Sequence, residues 1–133
     1  MKKTATCVIP FFNEKGRVEN VLKELIKVKN INEIICVDDG STDDGVKGLK
    51  QKFPKIIFLK LARNQGKTTA IREGVKIAKS DYIFLCDSDI IGLDNKIIEK
   101  AIGNISSNPK IEMIILRGKF VFPNSLFSRS ELI

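Results

Sequence analysis

Tyr82-Ile83-Phe84-Leu85-Cys86-Asp87-Ser88-Asp89 is an apolar run that ends in two carboxylates with one serine between them. The run has the length and composition of a short buried strand. Asp87, Ser88 and Asp89 then sit at its carboxyl end, the edge where open α/β sheets bind ligands. Carboxylate oxygens are hard donors, suited to Mg2+ or Mn2+ held jointly by one or two acids and substrate phosphates. An isolated Asp-x-Asp is more often a solvated turn. Its meaning depends on what the other strands bring to the same edge.

The flanking sequence alternates strand and helix patterns. Thr4 to Pro10 is β-branched and apolar and predicts a first strand. A loop from Pro10 to Glu14 follows, with Asn13 as candidate helix cap. Val18, Val21, Leu22 and Leu25 mark an amphipathic helix from Gly16 to Val28. Glu33 to Val37 predicts a second strand. It runs into Asp38-Asp39-Gly40-Ser41-Thr42-Asp43, a turn in which Ser41 or Thr42 would cap a helix from Asp44 to Lys52. Ile56 to Leu61 predicts a third strand, Asn64-Gln65-Gly66 a turn, and Lys67 to Lys79 a helix with Ala70, Ile71, Gly74, Val75 and Ala78 on one face. Tyr82 to Cys86 is the fourth strand, Asn95 to Ile105 a helix, and Glu112 to Leu116 an expected fifth strand. Such alternation predicts an α/β fold: a mainly parallel sheet with right-handed crossovers and helices on both faces.

A chain of 133 residues is one domain by default, and 43% hydrophobic residues can fill its core. No apolar run approaches the roughly 18 residues of a membrane span, and the basic start Met1-Lys2-Lys3 precedes too short an apolar stretch for a secretory signal. Both features point to the cytoplasm. Cys7, Cys36 and Cys86 lie in apolar strand runs, which reads as buried reduced thiols. With no histidine, histidine-based catalysis within this chain is excluded. A net charge of +7 favours anionic partners. The lysines are scattered, and no arginine-aromatic interleaving marks a nucleic-acid platform.

In a parallel sheet the four strand ends share one edge, and each carries polar or special residues. The first brings Pro10, Phe12, Asn13 and Glu14, and the second Asp38 and Asp39. The third leads to Arg63, Asn64, Gly66 and Lys67, and the fourth to Asp87, Ser88 and Asp89. Taken singly, Asp38-Asp39-Gly40 is a common turn, Lys67 a surface lysine and Phe12 a core residue. Together they read as a nucleotide and metal site. A metal on Asp87 and Asp89 would neutralise a diphosphate. Asp38 or Asp39 would accept from a base N–H or a ribose hydroxyl, and Lys67 would face phosphate or the carboxylates. Gly66-Lys67-Thr68 is not a P-loop, because that motif needs glycine where Leu61 stands. The first strand also lacks the Gly-x-Gly-x-x-Gly of dinucleotide folds.

Val8-Ile9-Pro10-Phe11-Phe12-Asn13-Glu14, Val37 to Asp43, Asn64-Gln65-Gly66-Lys67 with Ala70 and Gly74, and Asp87-Ser88-Asp89 resemble, in order, the motifs of family 2 glycosyltransferases. The subgroup most similar in these motifs makes polyprenyl-phosphate sugars, as dolichyl-phosphate mannose or glucose synthases do. The resemblance implies a Rossmann-like GT-A fold and inverting transfer from a nucleoside-diphosphate sugar. It implies a nucleotide-sugar site of Pro10, Phe12, Glu14, Asp38, Asp39, Lys67, Asp87 and Ser88, and Mg2+ or Mn2+ on Asp87 and Asp89. It further implies a GT-A core over residues 1–117 and the start of an acceptor-side region over 118–133. In the dolichyl-type enzymes a glutamine often follows the second Asp by two residues, and here Ile91 stands there. No catalytic base is assigned, since Asp94, Glu99, Glu112 and Glu131 match no motif of the family. Either the base lies beyond Ile133, or the acceptor is a lipid phosphate, already anionic and needing no strong base. The second case would place the protein at the cytoplasmic face of a membrane, with Arg117 and Lys119 as candidate phosphate contacts.

Overall fold

The computed structural model describes residues 4–116. Its elements alternate as expected: β1 (Ala5–Phe11), α1 (Lys15–Leu25), β2 (Ile31–Asp38), α2 (Gly45–Lys52), β3 (Ile57–Lys60), α3 (Lys67–Ile77), β4 (Tyr82–Leu85) and α4 (Asn95–Ser107). The four strands form one sheet in the order β3-β2-β1-β4, and every pair is parallel. From β1 the chain steps outward through β2 to β3, then returns to place β4 on the other side of β1. Right-handed crossovers therefore put α1 and α2 on one face and α3 on the opposite face.

The two faces differ in depth. Val18, Val21, Leu22 and Leu25 of α1 pack with Cys7, Ile9 and Phe11 of β1, Cys36 of β2, Leu49 of α2, and Ile98 and Ile102 of α4 in one large cluster. On the other face Ala70 of α3 meets Val8, Ile35 and Val37. Gly74 lets α3 come that close. A β-carbon there would lie 2.6 Å from Val8 Cγ1 and 2.9 Å from Val37 Cγ2, inside contact distance. All seven residues of β1 are buried, as expected for a strand paired on both sides and covered on both faces.

Pro10 inside this central strand has no N–H to donate. Val8 accepts from Cys86 N on the β4 side, and Phe11 accepts from Asp39 N on the β2 side. Alternation along a parallel strand then turns Pro10 toward β4. The last β4 partner, Leu85, pairs with Val8, so the missing donor falls where β4 has already ended. The β1–β4 pairing ends at Val8 and Leu85, with Cys86 N still bonded to the Val8 carbonyl.

Three local expectations need correction. Residues 111–116 form no strand. Met113 and Ile115 are exposed there, and an apolar run becomes a strand only when a neighbour takes its backbone hydrogen bonds. Asn13 does not cap α1: it has φ +50°, and its side chain reaches across to another loop. Neither Ser41 nor Thr42 caps α2, whose preceding residue is Asp44. Asp94 does cap α4, its Oδ1 accepting from Lys96 N and Ile97 N. The expected region 118–133, together with Arg117, Lys119 and Glu131, lies outside the described residues.

Gly74→Ala forces α3 off the sheet or distorts Val8 and Val37. We expect a loss of about 1–3 kcal/mol, the usual range for overpacking, read as a lower urea midpoint. An unchanged midpoint would show that the close approach is not required.

Candidate active site

Four loops leave the carboxyl edge of the sheet, and polar contacts stitch three of them together. After β1, Asn13 N donates to Ser41 Oγ at 2.9 Å, and Asn13 Oδ1 accepts from Thr42 N and Asp43 N at 2.9 and 3.2 Å. These bonds tie the β1–α1 loop to the β2–α2 loop. They also explain the unusual φ of Asn13, one of the few residue types that tolerates it. The β2–α2 loop is tied in turn to the β3–α3 loop. Asp39 Oδ1 accepts from Gln65 N at 2.7 Å, and Asp39 Oδ2 accepts from Gly66 N at 2.9 Å. Gly40 (φ +76°) lies beneath, where a β-carbon would meet the backbone of Arg63 and Asn64 at 2.5 and 2.6 Å. Only glycine fits both the dihedral and the space.

Asp38 ends β2 with 1% exposure. Its Oδ1 accepts from Ser41 N at 2.8 Å, while its buried Oδ2 has no protein partner. Burying an unpaired carboxylate oxygen is costly, and such an atom calls for a ligand or a water. Phe11 is core, whereas Phe12 is 41% exposed, so the second phenylalanine is available for contact with a ligand. Pro10 is buried in β1. The Glu14 carboxylate stands 3.5 Å from Arg17 in the first turn of α1.

On the other side of β1, Cys86, Asp87, Ser88 and Asp89 follow β4. Cys86 and Ser88 are buried, Asp87 is partly exposed and Asp89 is exposed. Lys67, the first residue of α3, pairs its ammonium with Asp87 Oδ1. The structure thus brings together Asp39, the 64–66 turn, Lys67 and Asp87 as a connected set. Asp38 is linked to the same frame through Ser41. Glu14 joins none of these bonds, and Ile91 stands 92% exposed beside Asp89.

The donor set fits a hard divalent cation in chemistry, and the ammonium on Asp87 is a resident cation at one of its members. Among the described residues no cluster of three or more His, Cys, Asp or Glu side chains could cage a metal. Two carboxylates would leave most coordination positions to a diphosphate and water, as is usual for Mg2+. The later acids serve structure: Asp94 caps α4, and Glu99 accepts from Lys29 N at 2.8 Å.

The chain matches known proteins. The profile described as "Glycosyl transferase family 2" matches residues 6–129. The chain belongs to glycosyl transferase family 2. A poly-beta-1,6-N-acetyl-D-glucosamine synthase of Staphylococcus aureus (strain MSSA476) is 30% identical over 118 residues, 80% of this chain and 28% of that protein. A mannosyltransferase from Pyrobaculum calidifontis, solved with GDP-Man and Mn2+, superposes with a TM-score of 0.71 at 18% identity, over 84% of this chain and 34% of that one. TarS 1-349 of S. aureus, solved with UDP-GlcNAc, gives 0.69 at 21% identity, over 78% and 31%. At these identities the structural likeness speaks for the fold, which is that of GT-A glycosyltransferases. The family 2 chain described here spans 28% of the synthase it matches.

Sequence order found the four family 2 motifs but not their connections. That Asn13 serves the loop after β2, and that both Asp39 oxygens are spent on backbone amides, follows from which loops become neighbours. No local signal encodes it.

Two outcomes are expected. Asp39→Ala leaves the Gln65 and Gly66 amides without their acceptor. It should cost about 1–3 kcal/mol and speed hydrogen exchange at those two amides; unchanged exchange would deny the clamp. The second concerns Cys86, whose thiol burial pushes up to about 12, with Asp87 and Asp89 adding to the shift. Folded, it stays protonated where the unfolded thiol ionises, near 9.0. This contribution to stability is full below about pH 9 and fades as pH rises toward 12. Cys86→Ala should therefore flatten the alkaline fall in Tm. An identical pH profile in the variant would remove the thiol as a cause.

Proposed function

We propose that this chain is the donor-binding part of an inverting glycosyltransferase that takes a nucleoside-diphosphate sugar. The observation that carries the reading is the convergence of all four strand ends on one edge, in a family 2 chain, with the strand order reversing at β1. Ligands of open α/β sheets bind at such a reversal. In this reading Pro10, Phe12, Glu14 and Asp38 face the nucleoside, and the unpaired Asp38 Oδ2 accepts an N–H or O–H from it. Phe12 offers an apolar face to the base. Asp39 belongs to the same pocket and holds the 64–66 turn in place.

Lys67 and Ser88 would lie along the diphosphate, and Asp87 and Asp89 would hold Mg2+ or Mn2+. The bound ion supplies charge neutralisation of the departing diphosphate. Lys67 adds a positive charge at the amino end of α3, where the helix dipole also favours an anion. The mannosyltransferase solved with GDP-Man and Mn2+ and TarS solved with UDP-GlcNAc support a nucleotide-sugar donor.

For the acceptor, the motifs resemble enzymes that use a polyprenyl phosphate. The N-acetylglucosamine polymer synthase among the relatives favours a saccharide hydroxyl instead, which needs a base. Neither Asp94 nor Glu99 is free for that role, since both are engaged in the α4 region. We propose that residues 1–117 form the core and that 118–133 open the acceptor side. No helix among the described residues is long and apolar enough to cross a membrane. A second reading is a nucleotide-sugar-binding module without catalysis. Detectable donor hydrolysis or transfer would dismiss it.

Calorimetry with UDP and GDP sugars in the presence of Mn2+ tests the donor reading, with metal-dependent binding of one of them expected. Asp89→Ala should abolish the metal dependence and leave Tm unchanged, because Asp89 is exposed. Absence of any metal-dependent nucleotide binding by the wild type would overturn the reading. A collapse of Tm in Asp89→Ala would make that residue a structural cap instead.

A further inference from the structure

Lys67 stands in an electrostatically awkward place. It is the first residue of α3, and the first turn of that helix holds no acid. The amino end of a helix carries partial positive charge, so a cation there is disfavoured and an anion favoured. The position is nevertheless fixed. Gly66 precedes it with φ +95°, and Asp39 grips the amides of Gln65 and Gly66 just before it. With its base held, the ammonium has reached across to Asp87, two residues past the end of β4. Both partners remain substantially exposed, at 62% and 45%, so little is lost when the pair opens.

We propose that Lys67 is an internal cation that competes with the divalent metal for Asp87, and that an arriving diphosphate releases it. This rests on the donor reading above. Without nucleotide, the ammonium covers an Asp87 oxygen and repels a dication, so the metal alone binds weakly. A diphosphate offers Lys67 a better partner, because it carries more charge than one carboxylate and lies at the amino end of α3, where an anion is favoured. Asp87 is then open to the metal. Metal and nucleotide favour each other through one lysine that can serve only one anion at a time, and the coupling is reciprocal by linkage. Lys67 thereby keeps the carboxylates from holding metal before the donor arrives.

The test is the affinity of the protein for Mn2+ alone, followed by the loss of the free-ion signal in electron paramagnetic resonance. Lys67→Met should bind Mn2+ about fivefold more tightly than the wild type, the upper range for releasing an exposed ion pair. Lys76→Met, which removes a lysine paired with Glu73 on the same helix, should change nothing. Adding Asp87→Asn to Lys67→Met should erase the gain. Equal or weaker binding by Lys67→Met overturns the proposal, as does an equal gain in Lys76→Met, which would reveal a general field effect. Failure of both wild type and Lys67→Met to bind Mn2+ at millimolar concentration overturns it too. If Lys67→Met gains Mn2+ affinity but the wild type binds no nucleoside diphosphate with metal, the donor reading falls and the competition for Asp87 stands. Matching circular dichroism of the variants confirms that each is folded.

Discussion

The parallel pairing of β1 with β2 on one side and β4 on the other is the constraint on which the rest depends. β1 is buried along its whole length, and both of its faces are covered. A parallel strand can be joined to its neighbours only by crossovers, and the crossovers have a fixed hand. Once β2 and β4 flank β1, α1 and α3 must lie on opposite faces. The chain must also reverse its direction of travel across the sheet at β1. Pro10 belongs to the same constraint, since its missing donor is harmless only where β4 has ended.

What stands at this edge is a frame more than a set of free side chains. Asn13 spends its side chain on the loop after β2, and Asp39 spends both oxygens on the turn before α3. Gly40 lets two backbones touch. These contacts fix three loops relative to one another before any ligand arrives, and preorganisation of this kind lowers the cost of binding. Against that frame, the groups left unspent stand out: the buried Asp38 oxygen, the exposed ring of Phe12, and the Asp87 and Asp89 carboxylates with the Lys67 ammonium on the first. The distinction separates residues that build the site from residues that would meet a substrate, and both kinds lie within the same motifs.

The cysteines show the same edge from beneath. Cys86 is buried under the two aspartates and hydrogen-bonded to the Asp87 carbonyl, and Cys7 and Cys36 pack in the same cluster. Burial holds all three thiols protonated, which makes them packing groups. Even where the sheet meets its most polar loop, the layer below is apolar. The Asp87 and Asp89 carboxylates lie at the surface above it, the first paired with the Lys67 ammonium.

By itself the sequence determined the alternation of strands and helices, the parallel α/β class and the four motifs at the strand ends. These are local: hydrophobic period, turn residues and the order of polar clusters are written residue by residue. It also determined membership of family 2, because the motifs occur in a specific order. Tertiary structure alone decided that 111–116 form no strand, since strand identity needs a partner for the backbone. It alone decided that Asn13 caps nothing in its own helix, and that Asp39 serves the loop of another strand while Asp38 keeps an oxygen free. Two adjacent aspartates look equivalent in a string of residues. They become different because alternate side chains at a strand end face opposite ways, and only the packed sheet fixes what each of them meets.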